Sequence, residues 1–160
     1  MIDNKTTNEA IIKKVKEYLK KCPHLNELAK INVDYLNVDS KDNEYWSLEQ
    51  LEAPLILGKN VIGTKSHRQC QFIIASRAFF NPLNDTQNIE NLQTFGQIAD
   101  WIYQNNLNKN YPTLNDDETV TSLEVVTGGY LYGTDKTNTI ARYEMVCKLL
   151  YDKEEKTIWH

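Results

Sequence analysis

The side chains of this sequence best suited to metal binding or nucleophilic attack are three histidines and three cysteines. His24, His67 and His160 lie far apart, and the cysteines form no Cys-x-x-Cys pair, so neither set has the spacing of a zinc site. His67 and Cys70 are close in sequence, but residues three apart on a strand face opposite sides of the sheet. These residues therefore predict neither a metal site nor a catalytic Cys/His pair.

Two other groups have residue types found in cation and phosphate sites: the acidic run Asp116-Asp117-Glu118 and the pair Gly128-Gly129. The acidic run lacks the EF-hand pattern, which favours a solvated loop before a strand over a hard-cation site. The glycines fall inside a predicted strand, whereas a phosphate-binding loop joins a strand to a helix. We therefore predict no enzymatic activity, no metal and no cofactor.

Composition restricts the remaining classes of protein. The chain has 160 residues, of which 41% are hydrophobic and 25% charged, as in an ordinary globular protein. Its net charge of −4 disfavours a protein that binds nucleic acid through phosphate contacts. No apolar run has the length of a membrane span, and the polar N-terminus lacks a signal-peptide pattern, so we expect neither membrane insertion nor export.

Size and cysteine usage predict one intracellular domain. The length fits a single domain over residues 1–160, and we expect residues 1–7 and 153–160 to be flexible. Cys22, Cys70 and Cys147 are few and widely spaced, which is typical of reduced thiols in a cytoplasm.

The stretch from His67 to Phe80 predicts the central strand, because it is rich in β-branched and aromatic residues and contains no Pro or Gly. Alternation divides it into two faces. One face holds Arg68, Cys70, Phe72 and Ile74, and the other holds Gln69, Gln71, Ile73 and Arg77. One largely apolar face and one mixed face indicate a sheet with helices on one side only.

The N-terminal part predicts a helix followed by short strands. Thr6 to Glu9 fits a capping box, apolar residues follow at helical spacing, and Pro23 ends the helix. The opposite helix face carries five lysines, which favours a solvated face over a phosphate or lipid site: Lys13, Lys14, Lys16, Lys20 and Lys21. Strands are predicted near 31–35 and 45–49 around a turn at 40–43, and residues 50–66 fit a loop or an irregular edge strand.

The C-terminal half predicts a long helix over residues 86–106 and then a hairpin. The apolar stripe of the helix consists of Ile89, Leu92, Phe95, Ala99, Ile102 and Tyr103, widened by Ile98 and Trp101. In the hairpin, Gly128-Gly129 suggests a bulge or a close approach of another backbone, and residues 141–151 alternate with period two. The predicted fold class is α+β: a mostly antiparallel sheet of about four to five strands with two helices packed on one face.

Several segments, in this order, resemble a family of phage morphogenesis proteins. The segment Arg68–Arg77 resembles an "RQ-x-x-F-x-x-x-SR" strand, and Ala141–Cys147 resembles "ARYQIQC". Further similar segments are Cys22-Pro23, Val33–Leu36, Phe95–Trp101, Tyr111–Leu114 and Gly129–Tyr132. The family is the minor capsid or tail-completion proteins of long-tailed phages and prophages of Gram-positive bacteria, and the likeness covers about residues 11 to 151.

The resemblance implies a structural protein at the head–tail junction of a virion, assembled in the host cytoplasm. The leading expectation is a tail terminator, which forms a homo-oligomeric ring (a hexamer on the virion), caps the major tail tube protein and docks to the neck or head-closure protein. The alternative is another head–tail connector or head-closure protein, and a small enzyme comes third. Partners would be proteins of the particle, with no membrane and no specific nucleic acid.

Three arginines are the candidate assembly contacts: Arg68, Arg77 and Arg142. Each lies on or beside a strand rich in core residues, at a place where the resembling family also carries arginine. Arginine suits an interface because its planar guanidinium holds a carboxylate bidentately and stacks on aromatic rings. The alternative for each is an intramolecular ion pair at a sheet edge.

Overall fold

The structure, a computed structural model, describes residues 4–26, 31–33, 45–60, 62–79, 83, 85–137 and 139–155. It contains three helices and six strands in these residues. In chain order they are α1 Asn4–Leu19, α2 Pro23–Asn26, β1 Ile31–Val33, β2 Tyr45–Gln50, β3 Ile56–Lys59, β4 Lys65–Phe79, α3 Asp85–Leu107, β5 Glu118–Thr134 and β6 Ile140–Glu154.

The predicted α+β fold class is confirmed. The strands form one open sheet in the order β1-β2-β4-β6-β5, and β3 pairs with β4 on the same side as β2. All pairings are antiparallel except β1 with β2, which is parallel. The prediction for residues 31–49, two strands joined by a turn so that the second returns along the first, requires an antiparallel pair. It is wrong, because β1 and β2 are parallel. The turn assigned to residues 40–43 lies outside the described residues.

The central strand predicted at 67–80 is confirmed as β4, whose pairing with β6 runs without a register shift from Lys65↔Glu154 to Phe79↔Ile140. Alternation along this pair divides the sheet into two faces. The core face carries the buried side chains of both strands, among them Cys70, Phe72, Ile74, Tyr143, Met145, Cys147 and Leu149. The second face is mixed in character, as the sequence predicted.

Both long helices pack on the core face. Two aromatic contacts link α3 to the sheet, Trp46–Phe95 and Phe95–Tyr143, with ring centroids 5.2 and 6.3 Å apart. A third, Tyr18–Trp101, joins the two helices at 5.1 Å. Helix α3 lies over β5 and β6. Ile11 of α1 lines a small cavity with Leu55 and Cys70, so α1 covers the β3–β4 side of the sheet.

The ends of the first helix differ from the prediction. Helix α1 begins at Asn4, so Thr6 lies inside it and the capping-box assignment is wrong. The helix ends at Leu19 rather than at Pro23, because Lys21 N and Cys22 N bond to carbonyls three residues back and tighten the last turn. Pro23 instead begins α2, where its fixed φ suits the first helical position.

The apolar stripe assigned to the long helix is also partly wrong. Phe95, Ile98 and Ile102 are buried, whereas Ile89, Leu92 and Tyr103 are exposed. Helix α3 packs on the sheet along one side, so it buries one row of side chains with the spacing i, i+3, i+7. The three exposed residues of the predicted stripe lie outside this row.

Two irregular features of the sheet agree with the sequence. The bulge predicted at Gly128-Gly129 is confirmed, because the β5–β6 register shifts between Thr127 and Tyr130. The close neighbour of Gly129 is the side chain of Phe95 rather than another backbone. The segment 50–66 contains an irregular edge strand, β3, with a register shift between Ile56 and Gly58. Residues 4–7 are helical and residues 153–154 belong to β6, whereas the sequence predicts flexible ends at 1–7 and 153–160.

Candidate functional site

The three cysteines lie in the core, away from solvent. Burial raises the pKa of the Cys70 thiol to about 12 and also raises the pKa values of Cys22 and Cys147. A thiol with a raised pKa is a poor nucleophile near neutral pH. His67 faces the opposite side of β4 from Cys70, and its ring nitrogen contacts the Asp152 carboxylate.

The acidic run does not assemble a cation site in the structure. The carboxylate of Asp117 lies 4.0 Å from Lys153 Nζ, while Glu118 is buried at the start of β5 and accepts a hydrogen bond from the backbone N–H of Asn115. Within the described residues, no group of three or more His, Cys, Asp or Glu side chains could hold a metal ion.

The densest polar cluster lies on the second face of the sheet, around Arg142 of β6. One guanidinium nitrogen of Arg142 lies 2.6 Å from Glu49 of β2 and 2.9 Å from Glu144 of β6. The Tyr130 hydroxyl donates a 2.9 Å hydrogen bond to Glu144, and the Arg142 guanidinium lies 5.7 Å from the centre of the Tyr132 ring. We call these five residues the Arg142 cluster.

Electrostatics hold the Arg142 cluster in one arrangement. Partial burial lowers the pKa of Arg142, but hydrogen bonds and charge from Glu49 and Glu144 outweigh that effect and raise the pKa above its ordinary value. The pKa of Tyr130 is raised by burial and then by its bond to Glu144, so its hydroxyl remains a donor at neutral pH. Glu144 is only 4% exposed, and its charge is balanced within the cluster.

The three candidate arginines do not form one site. Arg77 pairs in register with Arg142, so both lie on the second face. Arg68 lies on the core face, where its guanidinium contacts Glu155 at 2.9 Å and donates to Ser66 Oγ. Arg68 and Arg142 each form an intramolecular ion pair, which is the alternative given above for each arginine. The assembly role of all three arginines stays a prediction.

Sequence reasoning missed the partners of Arg142. Glu49, Tyr130 and Tyr132 come from other strands, and no spacing within the chain links them to Arg142. One signal was present: the period-two alternation of residues 141–151 puts Arg142 and Glu144 on the same face of the last strand. The tyrosines were not found because the glycine bulge changes the alternation of β5 just before them.

Two groups of exposed apolar side chains lie on or beside strands at opposite edges of the sheet. The β5 patch consists of Val126, Tyr130, Leu131 and Tyr132, and the β3 patch consists of Ile56, Leu57 and Ile62. Tyr132 is the most exposed member of the β5 patch, at 65%. Because β5 is the last strand on one side and β3 lies beyond β4 on the other, the two patches face in different directions.

Comparisons with known proteins give no family assignment. No protein-family model matches the chain. No curated protein matches it significantly either. Among the helices the structure describes, none has both the length and the apolar character needed to cross a membrane.

Proposed function

We propose that this protein is a structural subunit of the phage head–tail junction, a tail terminator that forms a ring, caps the tail tube and docks to the neck. The proposal joins the resemblance of its sequence segments to a physical requirement. A ring of identical subunits needs heterologous contacts, in which one surface of each subunit meets a different surface of the next.

The observation that carries the proposal is the pair of unlike apolar patches at opposite edges of one sheet. Exposed apolar groups that cluster at one place are typical of protein contact sites. The β3 patch and the β5 patch differ in composition. Strand β5 ends the strand order on one edge of the sheet, and β3 pairs with β4 on the edge away from β6. A contact between the β5 side of one copy and the β3 side of the next uses both patches and can repeat around a ring.

The Arg142 cluster gives the β5 patch the character of a binding hot spot. Tyrosine and arginine are enriched among residues that contribute most to interfaces. Arg142 lies beneath the exposed ring of Tyr132 and is itself held by Glu49 and Glu144. Because these side chains are already ordered in the monomer, association loses less conformational entropy there.

The proposed function is tested by imaging the purified protein in the electron microscope, alone and together with the tail tube protein of the same phage or prophage. We expect closed rings, and we expect them at the ends of tubes. Rings that bind the neck protein but never the tube would favour the connector or head-closure alternative. Protein that stays monomeric in both preparations, at concentrations where tubes form, would contradict the proposal.

The variant Tyr132→Ala tests the β5 patch itself. The side chain is exposed, so we expect an almost unchanged melting temperature together with weaker ring formation, by about tenfold or more in dissociation constant, as for an interface hot spot. Leu83→Ala is the matched control, since Leu83 is 95% exposed and lies outside both patches. Equal assembly by Tyr132→Ala and wild type would remove the β5 patch from the interface.

A further inference from the structure

Acidic and basic residues are concentrated in different elements of this chain. Helix α3 and strand β5 together contain five acidic residues and no lysine or arginine. The acidic residues are Asp85, Glu90, Asp100, Glu118 and Glu124. Residues 11–21, which cover most of α1 and its last turn, contain five lysines and a single glutamate, Glu17. A net charge of −4 for the whole chain conceals this separation.

A groove lies between α3 and β5 on the acidic side. Its volume is about 480 Å³, which is the size of a ligand or side-chain pocket rather than a packing defect. Apolar side chains form much of its wall: Ala99, Ile102, Leu123 and Val125. Two carboxylates, Asp100 and Glu124, line it as well.

The carboxylates of the groove are available to an incoming cation. Within the described part of the chain, Asp100 forms no ion pair. Glu124 is exposed, lies 3.7 Å from Lys148 Nζ and accepts a 3.4 Å hydrogen bond from Ser122 Oγ. An apolar wall beside carboxylates suits lysine, because the aliphatic stem covers apolar surface while the ammonium group reaches the charge. A plain hydrocarbon or an anion would satisfy only part of this lining.

The five lysines of residues 11–21 have the matching character; three lie in α1 and two in the turn that follows it, and together we call them the lysine face of α1. Lys13, Lys20 and Lys21 are exposed, and Lys14 and Lys16 are half-buried. No carboxylate among the described residues forms an ion pair with any of the five. Their helix covers the β3–β4 side of the sheet, whereas the groove lies beside β5 at the other side. One molecule therefore carries both complementary surfaces, at different places in its fold.

We infer that the α3–β5 groove is the acceptor for the lysine face of α1 from a second copy of this chain. The lysine stems lie on the apolar wall and their ammonium groups pair with Asp100 and Glu124. This inference rests on the proposed function and specifies its interface: the β5 side of one subunit receives the β3 side of the next. The contact is heterologous: each subunit in a ring uses its groove for one neighbour and its α1 for the other, so the same contact repeats around the ring.

Charge reversal on each surface tests the inference. Asp100→Lys places a cation in the groove where the lysines of wild-type α1 would dock, and the double variant Lys13→Glu/Lys20→Glu places two carboxylates where they would meet Asp100 and Glu124 of a wild-type groove. In analytical ultracentrifugation, each should self-associate about tenfold more weakly or worse, because like charges then meet at every interface. Asp116→Lys and the double variant Lys109→Glu/Lys136→Glu carry the same changes in charge at exposed sites outside both surfaces and serve as controls.

Mixing the two variants gives the decisive measurement. In a ring where they alternate, the new cation of one groove meets the new carboxylates of the neighbouring α1 at one interface, and the next interface is wild type. Association should therefore return to within about threefold of wild type. Each variant should lose self-association while its melting temperature stays equal to that of wild type. Added salt should weaken the association of the wild-type protein, because it screens the charges at the interface.

The outcomes separate this inference from the proposed function. Rings that form equally well with either reversed surface, or a mixture that does not recover, would overturn the groove as the acceptor while leaving the ring subunit in place. Loss of tube binding with normal self-association would identify the tube protein as the occupant and overturn the second-copy assignment. Wild-type protein that never self-associates, alone or with tubes, would overturn both.

Discussion

At the scale of single residues, the side chain of Phe95 leaves no room for a side chain at Gly129. A Cβ atom built there would lie 2.5 Å from Cγ of Phe95 and closer still to its Cβ. Phe95 is buried, and its ring also contacts Trp46 and Tyr143, so it cannot move aside without disturbing the core. The glycine is therefore required by the close approach of α3 to β5, and its φ angle is not left-handed.

We predict that Gly129→Ala lowers the free energy of unfolding by about 1–3 kcal/mol, the range for overpacking a core. Gly128→Ala is an unusually close control, because a Cβ there meets nothing within 4 Å and both changes add the same methyl to neighbouring positions of one strand. Urea denaturation of the two variants gives the comparison. Equal stabilities would mean that α3 does not rest on β5 at this point.

At the scale of elements, the β5–β6 hairpin is closed by one carboxylate. Asp135 Oδ1 accepts hydrogen bonds from the backbone N–H groups of Thr139 and Ile140, and its other oxygen accepts from the Thr137 and Thr139 hydroxyls. The bond from Thr139 N–H is the main cause of a lowered Asp135 pKa, relative to an ordinary value of 3.8. Ionised Asp135 therefore stabilises the turn.

The sign of the pH effect follows from that lowered pKa. Because the folded-state pKa lies below the unfolded-state pKa, the contribution is fully present above the ordinary value of 3.8 and is lost as the pH falls through the lower folded value. We predict faster amide exchange at Thr139 and Ile140 as the pH is lowered in that window.

The variant Asp135→Asn isolates this effect, since its amide oxygen can still accept the backbone bonds but does not titrate. After correction for intrinsic exchange rates, wild type should be better protected than the variant above the ordinary pKa of the carboxyl group, because only its side chain is charged there. The two curves should converge as the pH falls and the wild-type carboxylate becomes protonated. A variant that follows the wild-type curve throughout would show that another carboxylate controls the turn.

At the scale of the whole molecule, Arg142 connects strands that are far apart in sequence. It joins Glu49 of β2 to Glu144 of β6 across β4 and lies beneath Tyr132 of β5. Its partners are each about one quarter exposed or less, which places these ion pairs between surface pairs and fully buried ones. Removing the arginine would leave two carboxylates close together without a counter-charge.

We predict that Arg142→Ala lowers the free energy of unfolding by about 1–3 kcal/mol and weakens rings partly through that loss. Lys148→Ala on the same face of β6 is the control, because its 3.7 Å pair with the exposed Glu124 should contribute about 0–1 kcal/mol. Comparison with Tyr132→Ala separates stability from assembly, since only the arginine variant should melt earlier. A melting temperature equal to wild type for Arg142→Ala would contradict a structural role for the cluster.

The sequence by itself determined the features that repeat along the chain with a fixed period. Period-two alternation identified the core face of β6 and both faces of β4, and composition identified the central strand, because strand pleating puts alternate residues on opposite sides whatever packs against them. The fold class and the glycine irregularity in β5 followed from the same local rules.

Only the tertiary structure decided which distant groups meet. The parallel pairing of β1 with β2, the single buried line of α3, the partners of Arg142 and the groove between α3 and β5 all depend on elements separated by many residues. Local sequence preferences contain no information about such pairings, since they are selected by the combined burial of a common core and by sheet order. The faces of Arg68 and Arg142 follow from alternation alone. Their carboxylate partners, Glu155 and Glu49, are 87 and 93 residues away in the sequence, and only the folded sheet brings them into contact.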